Sequence, residues 1–168
     1  RDFTINAMAL SLNVENYGEL IDYFGGFEDL KNKIIKTPLE PSITFSDDPL
    51  RMFRAVRFLT KLPGFSISEA TKQGITDNVE RTSILTRERI TGELEKMLSY
   101  NNPLKGLQTL YQLGLWSTAF VGWDYNELNI QALSKVGKPN LRWFFIAETD
   151  ATTITSLRST SAAVAERR

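Results

Sequence analysis

Between Asp48 and Pro63 the chain reads as one amphipathic helix and little else. Pro49 follows the carboxylates of Asp47 and Asp48, the order expected of a capping residue and a first-turn proline. Arg51, Arg54 and Arg57 then recur at intervals of three. At about 100° per residue they fall within an arc of roughly 120°. Met52, Ala55, Val56, Leu59 and Leu62 lie on the other side, and Pro63-Gly64 ends the run. Such a helix must bury one face and present the cationic one elsewhere.

A capping Asp and a few arginines in water would account for each residue singly. Two features argue for more. All three cations are Arg, the side chain suited to planar, bidentate recognition of a phosphate or a base edge. No acid follows any of them at i+3 or i+4, so nothing on the helix itself neutralises the stripe. A cationic stripe opening on a carboxylate suits a ligand with negative charges at one end and hydrogen-bonding edges at the other, as in a nucleoside triphosphate. Ionised Asp48 only accepts and Arg51 only donates. Set against a base edge, the pair matches cytosine and adenine, which place an amino donor beside a ring-nitrogen acceptor. Uracil and guanine reverse that order and would leave buried groups unpaired.

Composition limits the alternatives. The 168 residues are 42% apolar and 24% charged, with zero formal net charge, so any affinity for RNA must come from local patches. There is no cysteine, which excludes disulfides and thiol chemistry and fits a reducing cytoplasm. There is no histidine, which removes the commonest general base and leaves oxygen ligands alone for any metal. No apolar run is long enough for a membrane span, so no membrane partner is expected.

Alternation of Phe3, Ile5, Ala7, Ala9 and Ser11 with their neighbours predicts a strand, with further strands over Glu19 to Phe24 and Ile34 to Thr37 and a turn at Gly25-Gly26. A sheet that starts this abruptly is expected to expose apolar edges near Phe3 and Ile5 and to self-associate. Helical signal begins at Ser42. Beyond the Pro49 helix, Ser68 caps a helix reaching Asp77, Thr86 opens a strong one through Leu98, and Pro103 opens another ending at Gly114. Arg87, Glu88, Arg89 and Glu93 read either as ion-pair braces for the arginine helix or as a solvated face. Trp123, Trp143, Phe144 and Phe145 read as core, with base stacking as the alternative. Residues 149 to 161, rich in Thr, Ser and Ala, read as a poorly packed tail.

Three segments then carry a resemblance. Asp47-Asp48-Pro49-Leu50-Arg51 resembles the acid-Asp-x-x-Arg nucleotide-selecting motif of class II tRNA nucleotidyltransferases (CCA-adding enzymes) and bacterial poly(A) polymerases, with Asp47 where many members have Glu. Arg1-Asp2-Phe3-Thr4-Ile5-Asn6-Ala7 resembles their Arg-Arg-Asp-Phe-Thr-Ile-Asn-Ala strand. Leu20 to Leu30 resembles the Asp-Pro-Phe-x-Gly-x-x-Asp-Leu element, with Tyr23 in place of proline. The resemblance implies an α+β chain: the C-terminal strands of a polymerase-β-like nucleotidyltransferase head over 1–38, a helical neck over 39–120, and the start of a body or a tail over 121–168. It implies that Arg1, Asp2, Asp48, Arg51, Arg54 and Arg57 contact ATP or CTP, with Asp2 on the ribose, while Asp47, Asp48 and Arg51 select the base. It implies the tRNA 3′ end as acceptor and Mg2+ as cofactor. The family's catalytic and metal-binding carboxylates belong to a Gly-Ser turn and an Asp-x-Asp pair expected upstream, so no catalytic residue and no metal ligand is expected within these residues. Poly(A) polymerase, a CC- or A-adding relative and a non-catalytic RNA-binding helical module are the alternatives.

Overall fold

The computed structural model describes residues 1–133, 135–137 and 141–147. The side chains of Phe144 and Phe145 and the segment 149 to 161 lie outside the described residues. The first elements are short. β1 (Ala9–Leu10) pairs antiparallel with β2 (Leu20–Ile21), Ala9 opposite Ile21. α1 (Gly26–Lys31) leads into β3 (Ile34–Ile35), and α2 (Pro41–Asp47) and α3 (Leu50–Lys61) follow. β4 (Ser66–Ile67) then pairs parallel with β3, Ile34 opposite Ser66. The rest is helical: α4 (Glu69–Asn78), α5 (Arg87–Ser99), α6 (Leu104–Gln112), α7 (Trp116–Ala119), α8 (Glu127–Leu133) and α9 (Arg142–Ala147). Few, short strands followed by packed helices make an α+β chain, as the sequence implies.

α3 is the hub. Leu50, Met52, Phe53, Ala55, Val56 and Leu59 are all buried, and the helix is packed between α5 and α6 while touching β3 and β4. Burying a side chain the size of Met52 or Leu59 stabilises by about 1.5–3 kcal/mol, so this face alone fixes the helix in place. The β3–β4 pairing closes across α3: Ser66 N–H donates to the Lys33 carbonyl at 2.9 Å and Ser68 N–H to that of Ile35 at 3.0 Å. One continuous core therefore runs from Phe3 to Ile146, across residue 38.

The expected strand over Phe3 to Ser11 is the main correction. Thr4–Asn6 form a 3-10 turn instead, because Asn6 Oδ1 accepts from the Phe3 N–H at 3.0 Å and draws the backbone out of the extended form. Phe3 is fully buried and meets Phe58 edge-on, centroids 5.4 Å apart, and Ile5 is half-buried. No apolar edge is exposed at Phe3. The large exposed apolar residues of this region are Leu10, Leu12, Val14, Tyr17 and Leu20, around the β1–β2 hairpin.

The Gly25-Gly26 turn also starts α1, which alternation did not suggest. Gly25 has φ +70°, and a Cβ on Gly26 would collide with the Thr4 carbonyl. Asp22 caps this helix by accepting from Gly26 N–H at 2.8 Å and Phe27 N–H at 2.9 Å. The Phe27 and Gly26 amides hold the Asp22 carboxyl below its ordinary pKa. A depressed folded-state pKa stabilises above the unfolded value, and that stability is lost as pH falls through the folded one. Asp22→Ala is therefore expected to lower the urea midpoint at pH 7 and to differ less from wild type at pH 2. An equal deficit at both pH values would deny the carboxylate this role.

Candidate functional site

The bend between α2 and α3 positions the motif residues. Asp48 ends α2 in an extended conformation (φ −146°, ψ 100°), and Pro49 starts α3. Asp48 Oδ1 accepts from the Leu50 N–H at 3.1 Å, so the expected cap is present, one residue before Pro49 at the N-cap of α3. Both oxygens of its carboxylate also accept from one guanidinium nitrogen, Arg89 Nη2, at 3.1 Å each. Arg89 comes from α5, one of the two candidate braces that reach the α2–α3 unit.

The stripe is not bare. Arg51 Nε lies 3.5 Å from Asp2 Oδ1, and its Nη1 donates to the Thr44 carbonyl at 3.0 Å and to Asp47 Oδ2 at 3.4 Å. Arg54 donates through Nε to Asp2 Oδ2 at 2.9 Å and through Nη2 to the same oxygen. Asp2 thus anchors two turns of α3 at once, with its side chain 14% exposed. Arg57 donates to Glu93 Oε2 and to the Tyr100 hydroxyl, and its guanidinium sits 4.8 Å from the Phe58 ring centroid. Nothing that follows on α3 neutralises the stripe, as the spacing reads, but acids outside it do: Asp47 lies four residues before Arg51, while Asp2 and Glu93 stand 52 and 36 residues from Arg54 and Arg57, a separation that helix spacing cannot register.

Burial separates the arginines. The side chains of Arg51 and Arg54 are 20% and 31% exposed, those of Arg57 and Glu93 only 11% and 5%. Burial, the largest influence on Arg57, opposes its charge, but the Tyr100 and Glu93 hydrogen bonds outweigh it and raise its pKa. Arg57 is held in the α3–α5 interface. Asp47 is exposed and edges an open cleft of about 400 Å3 beside α2, with Ser42, Ile43 and Ser46. Arg1 is exposed. Asp48 and Arg51, imagined as facing one base, are joined through the backbone, Arg51 N–H to the Asp48 carbonyl at 3.0 Å, while their side chains share no hydrogen bond among the described residues.

The remaining candidates do other work. Arg87 donates to the Thr118 carbonyl at 2.6 Å and to that of Ala119, bracing α7 rather than α3. The Glu88 carboxyl is held below its ordinary pKa by its own backbone N–H and the Thr86 hydroxyl, at the start of α5. Trp123 and Trp143 are half-buried against the core, as the packing reading expects. Missing from the sequence reading is Tyr100, which nothing in its spacing marks, and the bracing residues Arg89 and Glu93 were left outside the candidate site.

The described residues do not fit a divalent cation. They contain no group of three or more metal-capable side chains, and the Asp2 oxygens are already engaged by Arg51 and Arg54. No step of the chemistry is routed through a metal here.

Comparison with known proteins places this geometry. Residues 1–36 match the family described as the poly(A) polymerase head domain, and residues 64–125 match one described as the probable RNA and SrmB-binding site of polymerase A. A CCA-adding enzyme of Limosilactobacillus reuteri is 47% identical over 116 residues, 69% of this chain and 28% of that one. An A-adding tRNA nucleotidyltransferase of Aquifex aeolicus is 38% identical over 140 residues, 82% of this chain and 17% of that one. Among solved structures, a Thermotoga maritima CCA-adding enzyme complexed with tRNA superposes with a TM-score of 0.79 at 32% identity, covering 95% of this chain and 42% of that one. A tRNA nucleotidyltransferase with a primer tRNA and an incoming ATP analogue gives 0.72 at 37% identity, covering 79% and 39%. The chain spans less than a third of the length of the curated relatives it matches. Two matched family segments, the identities and the shared fold agree: the chain belongs to the CCA-adding enzyme and poly(A) polymerase family of nucleotidyltransferases.

Proposed function

We propose that these residues are the nucleotide-selecting part of a tRNA nucleotidyltransferase that transfers CMP from CTP and AMP from ATP to the tRNA 3′ end. The terminal hydroxyl oxygen loses its proton to solvent and bonds to the α-phosphorus, the bond from that phosphorus to the bridging oxygen breaks, and pyrophosphate leaves. The carrying observation is the donor and acceptor capacity left at the start of α3. A carboxylate has about four acceptor positions. Leu50 and Arg89 supply Asp48 with three hydrogen bonds, which leaves one position for an exocyclic amine. Arg51 is engaged through Nε and Nη1, which leaves Nη2 to donate to a ring nitrogen. That is the edge pattern of cytosine and adenine.

In this reading Asp47 flanks the base, Arg1 and Arg54 face the phosphates, and Asp2 accepts from a ribose hydroxyl as Arg54 turns to the triphosphate. Arg57 reaches a nucleotide only by releasing Glu93, so we assign it to holding α3 against α5. The head is taken to end near residue 38 and the neck near residue 120. A divalent ion, which the family generally uses, is proposed as Mg2+ held by carboxylates outside the described residues. No described helix is long and apolar enough to cross a membrane, and a cytoplasmic location is proposed.

Arg54→Lys in the intact enzyme keeps the charge but loses the planar fork, so it should weaken ATP and CTP to a similar extent without altering their ratio. Calorimetric titration of both nucleotides checks it, and unchanged affinities would return Arg54 to a structural role. The Aquifex relative favours a second reading, addition of A alone. Incorporation of CMP into a tRNA lacking its whole CCA end decides between the two.

A further inference from the structure

On α5, Arg89 and Glu93 point at α3; at about 100° per residue, Arg87, Thr91 and Glu95 lie roughly opposite them. These three sit one turn apart and line a groove of about 280 Å3 whose other wall is Phe120, Trp123 and Trp143. The Phe120 and Trp123 rings are near-parallel, with centroids 6.1 Å apart, and Trp143 meets Phe120 edge-on at the same distance. Arg87 is fixed by the carbonyls of Thr118 and Ala119. Glu95 is exposed, and among the described residues neither its side chain nor that of Thr91 has a hydrogen-bond or ion-pair partner. Phe120 is itself buried, so the groove combines the half-buried rings of Trp123 and Trp143 with an unused carboxylate, an unused hydroxyl and a held cation. None of this is used by the nucleotide-selecting end of α3.

We propose that this groove binds an unpaired guanine of RNA, an inference that rests on the RNA-directed reading above. An aromatic wall takes any base by its π-face, at about 1–3 kcal/mol per stacked base, so the wall alone does not choose. The rail chooses. Ionised Glu95 can only accept, and guanine alone among the four bases presents two adjacent N–H donors, at its ring N1 and its exocyclic amine. The Thr91 hydroxyl donates to the neighbouring guanine oxygen. Arg87 offsets the repulsion between Glu95 and the RNA phosphates. A cationic peptide would also suit the rings and Glu95, but Arg87 in the same groove opposes a second cation. The RNA-binding family match over residues 64–125 includes six of the seven groove residues, all but Trp143.

The test uses fluorescein-labelled pentanucleotides UUGUU, UUAUU and UUUUU, titrated with the 168-residue chain by anisotropy. A bidentate base contact discriminates by about 1–3 kcal/mol, so UUGUU should bind about tenfold more tightly than the other two. Glu95→Gln replaces one acceptor by a donor and should reduce that preference to less than about twofold, with the melting temperature unchanged because Glu95 is exposed and makes no hydrogen bond or ion pair among the described residues. Equal binding of the three oligonucleotides, or a guanine preference that survives Glu95→Gln, overturns the proposal. So does displacement of UUGUU by an arginine-containing pentapeptide at comparable concentration, which would mark a protein-docking groove. Binding of tRNA and CMP incorporation by the intact enzyme are measured in parallel. Their loss alongside a Glu95-dependent guanine preference would sink the transferase reading and leave the groove assignment standing.

Discussion

Glu93→Ala is expected to cost about 3–5 kcal/mol of stability, because it strands the Arg57 cation in an interface where that side chain is 11% exposed. For a domain of this size that corresponds to a drop in melting temperature of roughly 10 °C. The cation cannot escape by losing its proton, since an arginine stays charged at any ordinary pH. Tyr100 offers only a hydroxyl at 3.4 Å in compensation. Lys96, which reaches the other Glu93 oxygen at 3.1 Å with its side chain 60% exposed, simply returns to water. The double variant Arg57→Met with Glu93→Leu removes both charges and should recover most of the loss. Thermal unfolding of wild type, Arg57→Met, Glu93→Leu and the double variant gives the coupling directly. A single-variant loss below about 1 kcal/mol would class the pair with exposed surface bridges.

Asp48→Ala in the intact enzyme should relax base choice, raising UMP and GMP incorporation relative to CMP and AMP. The lost contact is worth about 1–3 kcal/mol of discrimination, or roughly tenfold for each 1.4 kcal/mol. The same substitution leaves Arg89 without the carboxylate it grips at 3.1 Å. Arg89→Met separates the two consequences. It keeps the Asp48 acceptor but frees its carboxylate to rotate, so it should raise misincorporation less than Asp48→Ala does. Single-turnover incorporation of the four nucleotides measures both variants. If Asp48→Ala retained the wild-type order of preference, Asp48 would be a helix cap and nothing more.

The legible part of this fold is its helical part. The Pro49, Ser68, Thr86 and Pro103 starts all open helices within a residue of their expected places, because caps and prolines act locally and the apolar stripes are long. Ser68 does accept from the Thr71 N–H at 3.3 Å. The strand expected over Phe3 to Ser11 failed because the Asn6 side chain outcompetes the extended backbone at a range of three residues, a signal that alternation of apolar residues does not contain. β4 was invisible for another reason: two residues pair with β3 only because α3 brings the chain back alongside it. In the site, Asp48, Arg51 and Arg54 could be singled out from spacing and residue type. Their pairings could not: Arg89 and Glu93 read only as two of four possible braces, and they and Asp2 reach Asp48, Arg57 and Arg54 through tertiary packing.

The pairing of the arginine stripe also bears on how a charged ligand would first meet this surface. Arg51, Arg54, Arg57, Arg89 and Lys96 stand against Asp2, Asp47, Asp48 and Glu93, five cations to four anions within one cluster, the fifth cation, Lys96, being mostly exposed. Seen from beyond a Debye length, about 8 Å at physiological ionic strength, the paired charges of such a cluster largely cancel. A triphosphate arriving there is not drawn in from a distance, as it would be by an open groove of lysines. It finds attraction only at contact range, by exchanging with carboxylates already in place. The rate of encounter at this surface is then nearly indifferent to added salt, and discrimination resides in how long a bound nucleotide stays.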